Sequence, residues 1–382
     1  MATEVICVLG GGSFGSTVAR IMSVALRQAA GSEAILNWWI REPDIAEEIN
    51  SVRTNSRFLP GAHFLSNVRA TTDLAEAASG ATIIVVAIPS QYLPQVLSQL
   101  QRSLEAGKRG RLVVLSVVKS LHYDAAAHHL SLPSSTILQY LGAHDLCVLC
   151  GPNIYSEMVN DDSFAEASLG YIASSPGGRA AADRLLPLLR TQHFVARPVA
   201  DRAGVEAAGA LKNIVALGVG FAEGAGHGAN CRAVLIRLGL AEMAEFACRF
   251  LGASSAHTFL LEACGVGDLV LTCTAGRGHR LAAKYVEGGE HVIDPAPPRA
   301  RWAKIEEAMF AGMRLPDWHS AEAMRDFLTF HACAASFPLF AAIGRVAYDR
   351  QPASHLLDAV REALTSSPTA LRPARLCVRS TL

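Results

Sequence analysis

The chain has 382 residues, 51% apolar and 18% charged, enough to bury more than one core and too apolar for a disordered protein. Its 34 basic side chains balance 34 acidic ones, which gives no support for a nucleic-acid or membrane-surface partner. No apolar run has the length and flanks of a membrane span, no signal peptide is expected before the first strand, and nine scattered cysteines suit a reducing compartment.

Val5 to Leu9 is a continuous apolar run of strand length, and a helix pattern follows from Ser16 to Gln28. Between them lies Gly10-Gly11-Gly12-Ser13-Phe14-Gly15, a G-x-G-x-x-G in the context such a motif requires. Gly10 makes the tight turn, Gly12 admits a pyrophosphate to the backbone, Gly15 packs helix on strand, and the helix amino terminus attracts the anion. Gly11-Gly12-Ser13-Phe14-Gly15 also fits the G-x-S-x-G of a hydrolase nucleophile. That motif belongs deep inside a sheet, and only ten residues precede this one.

A second strand, Ala34 to Ile40, leads to Arg41-Glu42, where the adenosine ribose of a dinucleotide is met. Glu42 favours NAD, whereas Arg41 could tolerate a 2′-phosphate. Further buried strands run from Ala81 to Ile88, Leu112 to Val118 and Leu146 to Leu149, with two more at Ala167 to Ala173 and Thr191 to Val199. Their alternation with helical patterns predicts an α/β domain with a parallel-rich sheet over residues 1–199. Ligands meet such sheets at the carboxyl ends of strands, where Tyr92, Lys119 and Asn153 fall. Cys147 and Cys150 form a CxxC on a strand, where positions i and i+3 face opposite sides and cannot chelate together.

Residues 200–382 read as helical. Val205 to Ala222 is apolar on nearly every side and should be buried, yet carries Lys212-Asn213 in its middle. A lysine there needs a carboxylate to keep its charge, and with the Gly-rich turn at Gly224, Gly226 and Gly228 it suggests a proton-handling site. Leu235 to Phe250 continues the helical pattern. Asp268, set among apolar residues, is the expected partner of Lys212. Arg277 follows Gly276 and precedes a helix pattern from Leu281 to Val286, an arrangement suited to phosphate. Glu287 to Arg301 reads as a Gly/Pro-rich loop, and helical patterns resume at Ala303 to Gly312, Ser320 to His331 and Phe337 to Tyr348. The histidines, His331 and His355 among them, show no metal-ligand spacing, so no metal is expected.

Nearly the whole chain resembles the soluble NAD-dependent sn-glycerol-3-phosphate dehydrogenases. The resemblance rests on GGGSFG at Gly10, RFLPG at Arg57, IPSQY at Ile88, VVKS ending at Ser120 and CGPNIYSE at Cys150. It is carried furthest by GALKN at Gly209, GANCRAVLIRLGLAEM at Gly228 and CGVGDLVLTC at Cys264, while FPLF and YDRQP resemble the eukaryotic branch. It implies a Rossmann amino-terminal domain and an all-α carboxy-terminal domain with substrate in the cleft. It further implies NAD as cofactor, dihydroxyacetone phosphate and glycerol 3-phosphate as substrates, a homodimer and a cytoplasmic location. By the same resemblance Lys212 handles the proton, surrounded by Lys119, Asn213, Asp268 and Thr272. Arg277 holds the substrate phosphate and touches cofactor. Three departures stand out. Gly278 replaces the family's Asn after the phosphate arginine, leaving that contact to backbone or His279. Pro316-Asp317 stands where eukaryotic members carry Gln-Gly, and Ser120 replaces a glycine. Another β-hydroxyacid-type dehydrogenase shares the plan, and a non-catalytic NAD-binding module would keep only the first domain's chemistry. The chain ends Ser380-Thr381-Leu382, similar to a peroxisomal Ser-Lys-Leu address but without its basic residue.

Overall fold

The computed structural model describes residues 4–30, 34–104, 112–142, 145–160, 163–310 and 315–365. They form two compact units, residues 1–118 with 133–202, and residues 119–132 with 203–382. The last of the three breaks between them, after Arg202, lies near the residue 200 expected as the boundary. The excursion Lys119–Leu132, assigned to the first domain from sequence, clusters with the second.

The first unit is built on one eight-stranded sheet. Its strands are β1 (Ile6–Leu9), β2 (Leu36–Trp39), β3 (Val68–Thr71), β4 (Ile83–Val86) and β5 (Val113–Ser116), then β8 (Leu146–Cys150), β9 (Ala165–Gly170) and β10 (Phe194–Val199). The order is β10-β9-β8-β5-β4-β1-β2-β3, parallel throughout except where β9 runs against β8. Alternation explains the unbroken apolar runs. Ile6, Val8, Ile83 and Val85 enter one core, while Cys7, Leu9, Ile84 and Val86 enter the other, so both faces of each strand are covered. Helices α1 (Ser13–Ala30), α2 (Pro43–Val52), α3 (Leu74–Ala78), α4 (Leu93–Ser103), α5 (Pro133–Leu141) and α6 (Gly178–Leu185) belong to this unit. β1 has β2 on one side and β4 on the other, so the strand order reverses there. Open α/β sheets bind ligands at the carboxyl ends of strands at such a reversal. Cys147 and Cys150 both lie buried on β8.

Among the described residues the second unit is helical apart from one hairpin, β6 (His122–Asp124) with β7 (His129–Ser131), which the sequence pattern does not reveal. At its centre runs α7 (Arg202–Gly224), buried from Gly204 to Ala222. By composition α7 could cross a membrane, but it is wholly enclosed by protein. Small residues make that possible. A Cβ on Gly218 would strike Ile343, and one on Gly220 would lie 2.2 Å from the His279 carbonyl oxygen. Around it lie α8 (Ala229–Phe246), α9 (His257–Leu261), α10 (Asp268–Ala275), α11 (Arg277–Val286), α12 (Glu290–Ile293), α13 (Pro298–Phe310), α14 (Asp317–Phe330), α15 (Pro338–Tyr348) and α16 (Ser354–Thr365). The stretch Glu287 to Arg301 is therefore not the loop expected. It contains α12, and its Pro297-Pro298 opens α13, Pro298 being tolerated in a first helical turn.

Candidate active site

In the first unit the dinucleotide motif folds as its glycines require. Gly10 leaves β1 at φ +110°, where a Cβ would meet the Ala87 carbonyl oxygen at 2.5 Å. On Gly15 a Cβ would lie 2.3 Å from the Gly10 carbonyl oxygen, so helix and strand approach only because both side chains are missing. Three side chains fix the turn. Trp38 Nε1 donates to the Gly10 carbonyl at 2.9 Å, Asn55 Nδ2 to the Gly11 carbonyl at 3.0 Å, and Ser16 Oγ to the Gly12 carbonyl at 3.0 Å. The carbonyls are thus held inward, and α1, which starts at Ser13-Phe14, presents its first-turn N–H groups. Nothing lies within 4 Å of a Cβ built on Gly12, so the backbone there is open to a ligand. Ser13 occupies the first turn of the helix that directly follows the first strand. Asn55 was missed from sequence because a buried, hydrogen-bonded asparagine carries no local signature.

Arg41 lies just past β2 and pairs with Glu42 at 2.6 Å, and its guanidinium lies 6.0 Å from the ring centre of half-exposed Tyr92, in the turn after β4. Asn153, past β8, donates Nδ2 to the Glu166 carbonyl at 2.8 Å, while its Oδ1 is buried without a partner. An acceptor left over at a strand end, together with the open glycine turn, fits a dinucleotide.

The second unit brings the other group together. Asp268 is 1% exposed at the start of α10, placed there by the π-type turn Ala263–Gly267. Its Oδ2 accepts from Lys119 Nζ at 3.0 Å, and its Oδ1 from Lys212 Nζ. Lys212 Nζ also donates to Thr272 Oγ1 at 2.8 Å, and Thr272 Oγ1 donates to the Asp268 carbonyl at 2.6 Å. The two lysine side chains are 8% and 20% exposed. One carboxylate thus holds two ammonium groups, each close to water but mostly desolvated. Asn213 follows Lys212 on α7, 8% exposed and outside these hydrogen bonds. Ser120, beside Lys119, is buried with its hydroxyl unpaired.

Arg277 opens α11 and is exposed, with Gly278 and His279 buried behind it. His279 Nε2 is 2.7 Å from Glu223 Oε2, and Glu223 also pairs with Arg232. His279 is therefore engaged with α7. Asp317, 6% exposed, was read only as a departure from the family. Its carboxyl lies against Gly278, and burial raises it to about 6 although Arg277 and Lys212 pull it down. Among the described residues no group of three His, Cys, Asp or Glu side chains could hold a metal.

Residues 5–172 match the family described as NAD-dependent glycerol-3-phosphate dehydrogenase N-terminus, and residues 201–358 match the corresponding C-terminus. The proteins named cytoplasmic glycerol-3-phosphate dehydrogenase [NAD(+)] of Rattus norvegicus and Homo sapiens are 34% and 33% identical over 362 residues. Each alignment covers 94% of this chain and 97% of the relative. The glycerol-3-phosphate dehydrogenase structure from Saccharomyces cerevisiae superposes with a TM-score of 0.82 at 28% identity, over 94% of this chain and 99% of that one. The enzyme from Coxiella burnetii gives 0.76 at 25% identity, over 95% and 99%.

Proposed function

Because this chain belongs to the NAD-dependent glycerol-3-phosphate dehydrogenases, we propose that it interconverts dihydroxyacetone phosphate and sn-glycerol 3-phosphate with Lys212 as general acid and base. The observation that carries the reading is the Lys119–Asp268–Lys212–Thr272 cluster. NAD, bound at the glycine turn with Arg41, Tyr92 and Asn153 about it, supplies hydride chemistry at the C2 carbon.

The chain's own groups do the rest. Lys212 Nζ gives its proton to the C2 oxygen as that oxygen gains negative charge, and takes it back in the oxidative direction. Such a group contributes roughly 10²–10⁴-fold. Asp268 keeps the lysine charged and aimed, and Thr272 fixes the third direction of Nζ. Lys119 and Asn213 stabilise the developing alkoxide, where preorganised donors act most strongly. Arg277, which we also place against the cofactor, and the first turn of α11 with Gly278 take the substrate phosphate. Binding energy at that remote group orients a small substrate for the reaction. We place the chain in the cytoplasm and expect a homodimer. The test is NADH absorbance followed with matched phosphorylated and plain ketones. Turnover confined to dihydroxyacetone phosphate is expected, and equal turnover of a plain ketone overturns the assignment.

A further inference from the structure

The departures at Gly278 and Asp317 are two halves of one feature. A Cβ built on Gly278 would lie 1.8 Å from Asp317 Oδ1 and 2.5 Å from its Cγ, so the carboxyl fills the space a side chain at 278 would need. Asp317 has little freedom to leave. Glu306 Oε1 accepts from the Leu315 N–H at 2.8 Å and from Trp318 Nε1 at 3.1 Å, and the Trp318 carbonyl accepts from Tyr348 Oη. The Trp318 ring further stacks on Trp302 and His319. The aspartate is thereby fixed beside the first turn of α11, where the charges of Arg277 from α11 and Lys212 from α7 favour its ionised form and that of Glu306 from α13 opposes it.

We propose that Asp317 is a proton-linked specificity residue of the phosphate subsite: it occupies the slot left by Gly278 and carries a proton whenever a phosphate dianion is held at Arg277. The inference rests on the phosphate reading given above for Arg277 and α11. Its physical basis is competition. Without ligand, an Asp317 carboxylate is stabilised by the same guanidinium and helix terminus that would receive the phosphate. Two anions at one arginine repel, and the rigid segment prevents the aspartate from withdrawing. Taking up a proton from solvent removes the repulsion and turns the carboxyl into an O–H donor to a phosphate oxygen. The proton returns to solvent when the ligand leaves. A carboxyl already raised by burial to about 6 makes the uptake accessible near neutrality.

Titration calorimetry of the full-length protein with glycerol 3-phosphate at pH 8, in two buffers of different ionisation enthalpy, counts the protons. That pH lies above the second ionisation of a phosphate monoester, about 6, so the free ligand is already a dianion. Wild type is expected to take up close to one proton per ligand, and Asp317→Asn close to none. Two pH units separate pH 8 from the carboxyl near 6. Asp317→Asn is therefore expected to bind up to about 100-fold more tightly than wild type at pH 8 and within about twofold at pH 6. Asp317→Ala removes the titratable carboxyl by a different substitution and should also abolish the uptake, which covers a failure of Asp317→Asn to fold. Equal uptake in wild type and the folded variants, or weaker binding by Asp317→Asn at pH 8, overturns the inference. Absence of glycerol 3-phosphate binding to wild type at every pH overturns instead the phosphate reading on which it rests.

Discussion

Removing Lys212 and removing Asp268 should damage the protein in opposite proportions. In Lys212→Met the stem still packs in α7, since methionine keeps most of its length and apolar character. The buried carboxylate is not orphaned, because Lys119 stays 3.0 Å from its Oδ2. The stability lost should therefore be about 1.5–3 kcal/mol, the value of a hydrogen bond to a charged group. Asp268→Asn leaves two ammonium groups, 8% and 20% exposed, without their shared anion. Breaking a buried pair in that way costs about 3–5 kcal/mol. Activity should run the other way. Lys212→Met loses the proton donor and roughly 10²–10⁴-fold in kcat. Asp268→Asn keeps a lysine at the reacting oxygen and should fall less. Urea midpoints and kcat with dihydroxyacetone phosphate, measured on both variants, give the comparison. A Lys212→Met enzyme that retains more than about a tenth of kcat would refute the general-acid role. A larger loss of stability in Lys212→Met than in Asp268→Asn would refute the reasoning about the shared carboxylate.

Arg277→Ala should raise KM for dihydroxyacetone phosphate by about 30- to 150-fold, equivalent to roughly 2–3 kcal/mol for a charge-assisted phosphate contact, and leave KM for NADH much less changed. NADH should be preferred over NADPH in kcat/KM, because Glu42 already neutralises Arg41 at 2.6 Å, and Glu42→Gln should narrow the preference; a native NADPH preference contradicts this. Glu242, buried and accepting the N–H groups of Leu339 and Phe340, has a carboxyl pushed up by burial to about 8. Its folded value lies above the unfolded one, so its stabilising contribution is full below about pH 4 and is lost as pH rises through about 8. The melting temperature should therefore fall from pH 6 to pH 9, and Glu242→Gln should flatten the decline; an unchanged slope would discount this group. The terminal Ser380-Thr381-Leu382 lies outside the described residues. A reporter carrying it should stay in the cytosol, and its collection in peroxisomes would reverse the placement.

Much of the architecture was legible in the sequence because parallel strands buried on both faces write unbroken apolar runs, as β1 and β4 do. The glycine turn and the Lys212–Asp268 pairing were legible for the same reason in reverse, since charges and glycines in apolar surroundings demand a partner or a close approach. Short elements without an apolar run escaped. The hairpin β6–β7 reads HYD and HLS, with His122, Asp124 and His129 exposed, and the first turn of the helix that begins at Pro298 was hidden by the Pro297-Pro298 pair. Pairs joined only by the fold escaped as well. Glycine at 278 and aspartate at 317 looked like two separate departures until the carboxyl was seen filling the slot.

The excursion Lys119–Leu132 also fixes an order of assembly. The chain enters the second unit at Lys119, returns to the first at Pro133 and leaves it for good after Arg202. During synthesis the last strand of the sheet, β10, has emerged by Val199, yet Lys119 is still waiting for an aspartate that lies 149 positions further on. Contacts of such separation form late, because the loop between them must close before they stabilise anything. The cluster to which we assign the proton transfer is thus completed only when α10 folds against α7. A nascent chain halted before Asp268 would carry its dinucleotide turn whole and its two lysines without their counter-ion.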